Sequence, residues 1–384
     1  MKTPFAMIFA LWGAGLGAAA QYGKVSVIFD KLPQIYPDAG ASLGFIVSLV
    51  GFFGIVFGVV AGLLVARIRY RRALLWALWI GAAVSVFQAT LPPLPWMLLS
   101  RGIEGVSHLA IVVATPTLIA QISAPKDRGF TLTLWGTFFG VAFTVLAWGG
   151  LPLVAGYGLP ALFLAHGLYM AGFAIFLGAR LRRLDIDSVP GALSLSKIIN
   201  DHRAIYRSPF VAAPAAGWLF YTFCFVAVLT VLPPYIGADQ RAFVMGAMPL
   251  TSIAVSMTAG VALLRVLTAV QVIILGFALS AIMMLWLLMA PGDALACIAL
   301  AGSMGLIQGA SFSAVPELNS DPARQAQANG AMAQMGNIGN TLGTPVMAAT
   351  VGAFGYTGLP ILTATAFILG AATHLCLASL RKRG

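Results

Sequence analysis

The sequence predicts an all-α membrane protein with twelve transmembrane helices in two six-helix bundles and both chain ends cytoplasmic. Three observations predict it. First, 60% of the 384 residues are hydrophobic and 9% are charged, whereas a soluble domain carries roughly 25% charged residues. Second, apolar runs near the roughly 20 residues that a spanning helix needs recur along the whole chain. Third, landmark residues repeat at a constant offset of 200 positions.

The spans are expected, in order, at 8–31, 42–66, 73–91, 96–121, 130–153, 159–179, 209–235, 243–264, 268–290, 294–316, 328–353 and 358–379. The first begins after Lys2 and passes Ala18-Ala19-Ala20, a pattern that a cleavable leader also shows. Removing it would leave eleven spans and break the repeat, so it is read as a helix. Pro92-Pro93, Pro291-Gly292 and Gly358-Leu359-Pro360 mark joints, because proline and glycine interrupt helices. Orientation follows from the basic residues. With the N-terminus inside, all of them except Lys24, Lys31, Arg101 and Arg241 fall in or beside cytoplasmic segments. A net charge of +11 distributed in this way argues against a nucleic-acid partner. Cys224, Cys297 and Cys376 lie inside apolar runs without metal-ligand spacing and are read as small core residues, with no metal or cofactor expected. Asp30, Asp38, Asp239 and Asp293 lie near outer span ends and are read as solvated.

The repeat pairs Leu32-Pro33 with Leu232-Pro233, Gly102 and Gly105 with Gly302 and Gly305, and Gly136 with Gly336. It also pairs Gly158-Leu159-Pro160 with Gly358-Leu359-Pro360. A shared offset implies two parallel halves. They are expected at 1–180 and 209–384, joined by a cytoplasmic linker at 181–208. Within it, Ser194–Ser208 reads as an amphipathic helix on the membrane surface.

Two parallel six-helix halves with a basic central loop resemble the major facilitator superfamily. The resemblance extends to motifs. The family's G-x-x-x-D-R-x-G-R-[RK] loop is matched by Gly62, Arg67 and Arg71, with Ala66, Arg69 and Tyr70 replacing its aspartate, second glycine and first following arginine. The resemblance makes Gly62, Arg67 and Arg71 a cytoplasmic gate. Arg101-Gly102-Ile103-Glu104-Gly105 is similar to the R-x-x-Q-G of proton-coupled members. The G-x-x-x-G-P of drug antiporters lacks its proline at Gly136-x-x-x-Gly140-Val141, and is closer at Gly339-x-x-x-Gly343-Thr344-Pro345. The fold so implied is that of a secondary transporter in a bacterial-type inner membrane. It would act as a monomer on a small-molecule substrate by alternating access.

Ionisable side chains inside spans are costly and normally face a cavity or a partner. Arg101, Glu104 and His108 fall on one face of span four, and Lys24 of span one lies at nearly the level of Arg101. Lys24 and Arg101 are expected to attract an anionic part of the substrate. Glu104 and His108, one turn apart, are expected to share a coupling proton. Gln21 and Tyr22 flank Lys24. The second half offers neutral groups: Trp218 and Tyr221 for a planar solute, with Gln308, Gln334 and Asn337 as polar contacts. Each of these also has a plain packing role as its alternative. His166 and His374 have no charged company in sequence and are read as packing residues. No nucleotide, metalloprotease or nucleophile-elbow motif is present, so an enzyme is not expected. The expected function is proton-coupled uptake of an organic anion or a planar, vitamin-like metabolite. Drug or metabolite efflux by proton antiport, and a non-transporting sensor or assembly protein on the same fold, are the alternatives.

Overall fold

A computed structural model describes residues 2–58, 61–181 and 202–383. These residues are helical almost throughout and contain no strand. The chain divides into two compact units. One holds Met1–Ala39 and Leu49–Ala192, the other Gly40–Ser48 and Leu193–Gly384.

In the first unit, α1 (Phe5–Ser26) leads into a short turn at Leu32–Ile35. The next helix, α2 (Leu43–Ser48), belongs to the second unit. The first unit resumes with α3 (Phe52–Phe57), α4 (Ala61–Ile68) and α5 (Tyr70–Gln88). α6 (Leu94–Ile122) follows the Pro92-Pro93 joint. α7 (Arg128–Gly136), α8 (Phe138–Val145) and α9 (Leu151–Tyr157) run nearly end to end, with a π-helical turn at Leu146–Gly150. Gly158, at φ 80°, supplies the reversal before α10 (Leu159–Arg180).

The second unit continues with α11 (Ala212–Val231), α12 (Arg241–Val255), α13 (Ala269–Met289) and α14 (Ala294–Leu318). It ends with α15 (Pro322–Phe354) and α16 (Gly358–Arg383). The Thr268 and Gln271 side chains form a reciprocal capping box at the start of α13. Asp293, read as a solvated residue, instead accepts the Ala296 backbone N–H at 2.8 Å and caps α14.

Nine helical segments among the described residues are long and apolar enough to cross a membrane. The expected spans at 328–353 and 358–379 fall in one of these, Arg324–Lys382, which turns at Gly355 (φ 65°). The expected span 42–66 is broken into shorter pieces, with Leu43–Phe57 a shorter apolar helix. α5 is not among the nine: its first turn carries Arg71 and Arg72 and it ends at Gln88. Outward-facing Trp76, Leu168 and Met289 are 67%, 71% and 85% exposed. Lipid is the solvent that makes such exposure favourable, and the chain is a multi-pass membrane protein.

The 200-residue repeat has a physical counterpart in each unit. A Cβ on Gly105 would stand 2.6 Å from the Val50 carbonyl oxygen, and one on Gly305 would stand 2.2 Å from that of Ser252. Both glycines allow a neighbouring helix backbone to approach closely. The correspondence ends at Gly358, whose φ of −60° is helical where Gly158 is left-handed. Cys224 and Cys297 are buried, but Cys376 is exposed on α16, which corrects its reading as a core residue. Of the expected linker helix, residues 202–207 are helical and the remainder lies outside the described residues.

Candidate functional site

Four helices of the first unit share one apolar core, to which α1 gives Ile8 and Leu11, α5 Leu74 and Leu78, α6 Ile111 and Leu118, and α10 Met170 and Leu177. Along each helix the apolar stretch stops and polar residues begin. On α1 these are Gln21 and Lys24, on α5 Ser85 and Gln88, on α6 Arg101 and Glu104, and on α10 His166. Because the helices are long and their polar positions lie beyond the apolar ones, the four sets converge at one end of the bundle.

Lys24, Arg101 and Glu104 are each 0% exposed. The Lys24 ammonium reaches Glu104 Oε1 at 2.6 Å, Ser85 Oγ at 2.8 Å and His166 Nδ1 at 3.2 Å. That accounts for its three N–H donors. The Arg101 guanidinium donates to Glu104 Oε2 through Nη1 and to the Gln21 carbonyl at 2.6 Å through Nη2. Gln88 Nε2 donates to the same Glu104 oxygen at 2.9 Å. One carboxylate thus serves two cations and an amide, and the set holds one positive charge in excess. Glu104 thus forms ion pairs with both Lys24 and Arg101.

Hydrogen bonding also assigns the histidines. His166 Nε2 faces the Gly17 carbonyl at 2.9 Å, and a carbonyl only accepts, so Nε2 carries the proton. Nδ1 is then free to accept from Lys24, and His166 is a neutral member of the cluster. That corrects its reading as a plain packing residue. His108 Nδ1 faces the Ala18 carbonyl at 3.0 Å. The hydrogen bond expected between His108 and Glu104 does not form: the Glu104 oxygens are taken by Lys24, Arg101 and Gln88, and a backbone acceptor on α1 takes His108. Tyr22 sits edge-on to His108, with ring centroids 5.1 Å apart, and its buried hydroxyl has no partner among the described residues. Gln21 contributes its carbonyl to Arg101, while its side chain donates to Ser107 at 2.8 Å.

The polar and aromatic residues singled out in the second half do not form one comparable cluster. Trp218 stacks on Tyr221 at 4.6 Å, and Tyr221 on Phe225 at 5.5 Å. Gln308 lies 3.4 Å from the Ser252 hydroxyl. Gln334 accepts from the Tyr206 hydroxyl at 2.7 Å and donates to His202 at 3.3 Å, so it is tied to the helical turn at 202–207. Asn337 donates to the Ala333 carbonyl of its own helix at 2.8 Å. Behind that polar stripe, Gly339 and Gly343 press on α11. A Cβ on either would lie 2.6 Å or less from a Thr222 hydroxyl, a Leu219 carbonyl or a Phe223 carbonyl. Of the loop residues, Gly62 lies within α4 and Arg67 is exposed, while Arg71 Nη2 reaches the Gly178 carbonyl at 3.5 Å.

Sequence reasoning missed Ser85, Gln88 and His166. Ser85 and Gln88 are three positions apart on α5 and so share its face, a spacing that a search for uncharged polar pairs would have found.

Comparison with known proteins points to one kind of molecule. A family model described as Major Facilitator Superfamily matches residues 5–267. The niacin transporter NiaP of Acinetobacter baylyi (strain ATCC 33305 / BD413 / ADP1) is 26% identical over 201 residues, 51% of this chain and 44% of that protein. The match therefore spans less than half the length of that relative. Among solved structures, a bacterial homologue of the human lysosomal transporter Spinster, inward-facing and occupied, superposes with a TM-score of 0.78. It is 13% identical, and 97% of this chain and 96% of that one are covered. The unoccupied inward-facing form gives 0.78 at 12% identity, covering 99% and 98%. These structures share the fold.

Proposed function

The chain belongs to the Major Facilitator Superfamily, and on that premise we propose that it is a secondary active transporter that takes up a small, planar organic acid together with a proton. The observation that carries this reading is the Lys24–Glu104–Arg101 set, sealed from solvent with a net positive charge, carried by α1 and α6 and hydrogen-bonded to α5 and α10. Buried cations inside a membrane are costly without an anion beside them. A substrate carboxylate meets that need. It competes with Glu104 for Lys24 and Arg101, and Glu104 accepts a proton as it is displaced. One carboxylate and one proton enter together, and the charge of the set is the same before and after. Gln21 and Tyr22, whose hydroxyl has no partner among the described residues, are assigned neutral contacts to the substrate. The Trp218–Tyr221 stack is assigned to the flat face of the solute and Gln308, Gln334 and Asn337 to its polar edge. Once the substrate has freed Glu104 from Lys24 and Arg101, His108 is assigned to passing its proton onward.

In this reading twelve spans form two six-helix halves, at 1–180 and 209–384, that rock about the substrate. Both ends lie in the cytoplasm, the membrane is the inner one, and the protein works as a monomer. The loop of Gly62, Arg67 and Arg71 closes the cytoplasmic side. The likeness to a niacin transporter supports a pyridine carboxylate as the first substrate to test.

The test is uptake of labelled nicotinate into proteoliposomes with an inward proton gradient. Accumulation is expected in the native protein, with loss in Lys24→Ala and Arg101→Ala. Glu104→Gln should retain exchange but no longer accumulate substrate against a gradient. Undiminished uptake in all three variants would sink the assignment, and ligand binding without flux would favour a sensor.

A further inference from the structure

A second charged site lies away from the buried cluster, at the junction of α4, α5 and α10. Arg67, Arg69 and Arg72 are exposed there and Arg71 is half-buried. Arg71 reaches the Gly178 carbonyl at 3.5 Å, and Leu75 lies 3.8 Å from a Cβ built on Gly178. The first turn of α5 therefore abuts the last turn of α10, where Arg180 lies over the Phe176 ring at 5.6 Å. None of these arginines forms an ion pair with an acid among the described residues. The first turn of α5 holds no acidic residue and no side chain caps it. A helix N-terminus is itself positive, so among the described residues the local charge is cationic from both sources.

The same faces become apolar with distance from the arginines. On α5, Arg72, Trp76 and Trp79 follow i, i+4, i+7 spacing and are all exposed. On α10, exposed Arg180 stands four residues after exposed Phe176. A cationic end continuous with an exposed aromatic stripe matches one class of ligand, an amphiphile with an anionic head and hydrocarbon tails.

We propose that the first turn of α5 and the last turn of α10 bind an acidic glycerophospholipid, its phosphate on Arg69, Arg72 and Arg180 and its acyl chains along Trp76, Trp79 and Phe176. The head group is assigned as acidic and not zwitterionic because, among the described residues, the site offers cations and no carboxylate to receive an ammonium. Arg69 supports the assignment from another direction. It holds φ 73° and ψ 128°, a backbone shape that suits glycine, and residues kept in strained conformations concentrate at functional positions.

The test uses the full chain in phosphatidylcholine nanodiscs with or without a minor fraction of phosphatidylglycerol, read by thermal denaturation and by lipid retention in native mass spectrometry. Phosphatidylglycerol is expected to raise the denaturation midpoint of the native protein and to stay bound. The Arg69→Gln/Arg72→Gln/Arg180→Gln variant should lose the shift and retain the lipid at least about tenfold more weakly, as removal of several surface cations implies. All three positions are exposed, and the variant's midpoint in pure phosphatidylcholine separates misfolding from lost binding. The corresponding triple lysine variant should recover part of the shift, because it keeps charge but not the guanidinium fork. Equal phosphatidylglycerol shifts in native and glutamine proteins would overturn the proposal. So would a full shift produced by inorganic phosphate, which would mark a site for soluble anions.

Discussion

Replacing Glu104 with glutamine should destabilise the protein more than removing either cation that it pairs with. Glu104 accepts hydrogen bonds from Lys24, Arg101 and Gln88, and the three charged groups are wholly buried. The change leaves two cations side by side without an anion. Removing one partner of a buried pair costs about 3–5 kcal/mol. Lys24→Met, by contrast, leaves the Arg101–Glu104 pair neutral and forfeits charge-assisted hydrogen bonds worth about 1.5–3 kcal/mol. A gap near about 2 kcal/mol is roughly a thirtyfold difference in the unfolding equilibrium. The double variant Lys24→Met/Glu104→Gln holds one stranded cation instead of two, so it should be more stable than Glu104→Gln alone. Neighbours in one network couple in this non-additive way. Thermal unfolding of the detergent-purified proteins at fixed pH and salt provides the ranking. If Glu104→Gln matched Lys24→Met, or if the double variant showed the full sum of the single losses, the picture of one carboxylate balancing two cations would be wrong.

Three other outcomes follow from the same coordinates. Arg69→Gly should raise the unfolding midpoint, with a gain on the order of 0.5–1 kcal/mol from relief of the positive φ; an unchanged or lower midpoint would remove the case for strain. Gly343→Val should lower stability by about 3 kcal/mol or more, because its Cβ would stand 2.1 Å from the Phe223 carbonyl oxygen, and Gly352→Val, with open space around it, serves as the control. His166→Leu removes an acceptor from Lys24 and a donor from the Gly17 carbonyl. It should cost about 1–3 kcal/mol and reduce nicotinate uptake, while a stable His166→Leu protein with native uptake would place that residue outside the working site.

Much of this site was legible in the sequence because charge in a membrane has few ways to be tolerated. Lys24, Arg101 and Glu104 stood out as ionisable groups inside apolar runs, and helical spacing put the latter two on one face. Their convergence with Lys24 followed from the level each occupies along its helix. The neutral members were harder to see. Ser85 and Gln88 leave little mark on the hydropathy of a span, so only their three-residue spacing on α5 announces them. His166 looked isolated because its partners, Lys24 and Ser85, are distant in sequence and come together only when α1, α5 and α10 pack. For His108 the expected contact with Glu104 gives way to one with the Ala18 carbonyl. Its neighbour Glu104 is close in sequence, but Lys24 of α1, Gln88 of α5 and Arg101 of α6 itself take that carboxylate. In the fold, glycines at joints marked turns well at Gly158. At the corresponding Gly358 the reversal moved three residues upstream to Gly355, a shift that composition cannot register because both positions are glycine.

The glycine seam between α11 and α15 has a practical consequence. With Gly339 and Gly343 in near contact with the Leu219 and Phe223 backbones, these two helices have no clearance to slide past each other and will travel as a pair. A spectroscopic ruler with both probes on that pair would therefore report little during turnover. Placing one probe on α15 and the other on α6, which belongs to the other half of the proposed rocking pair, lets the measurement register motion.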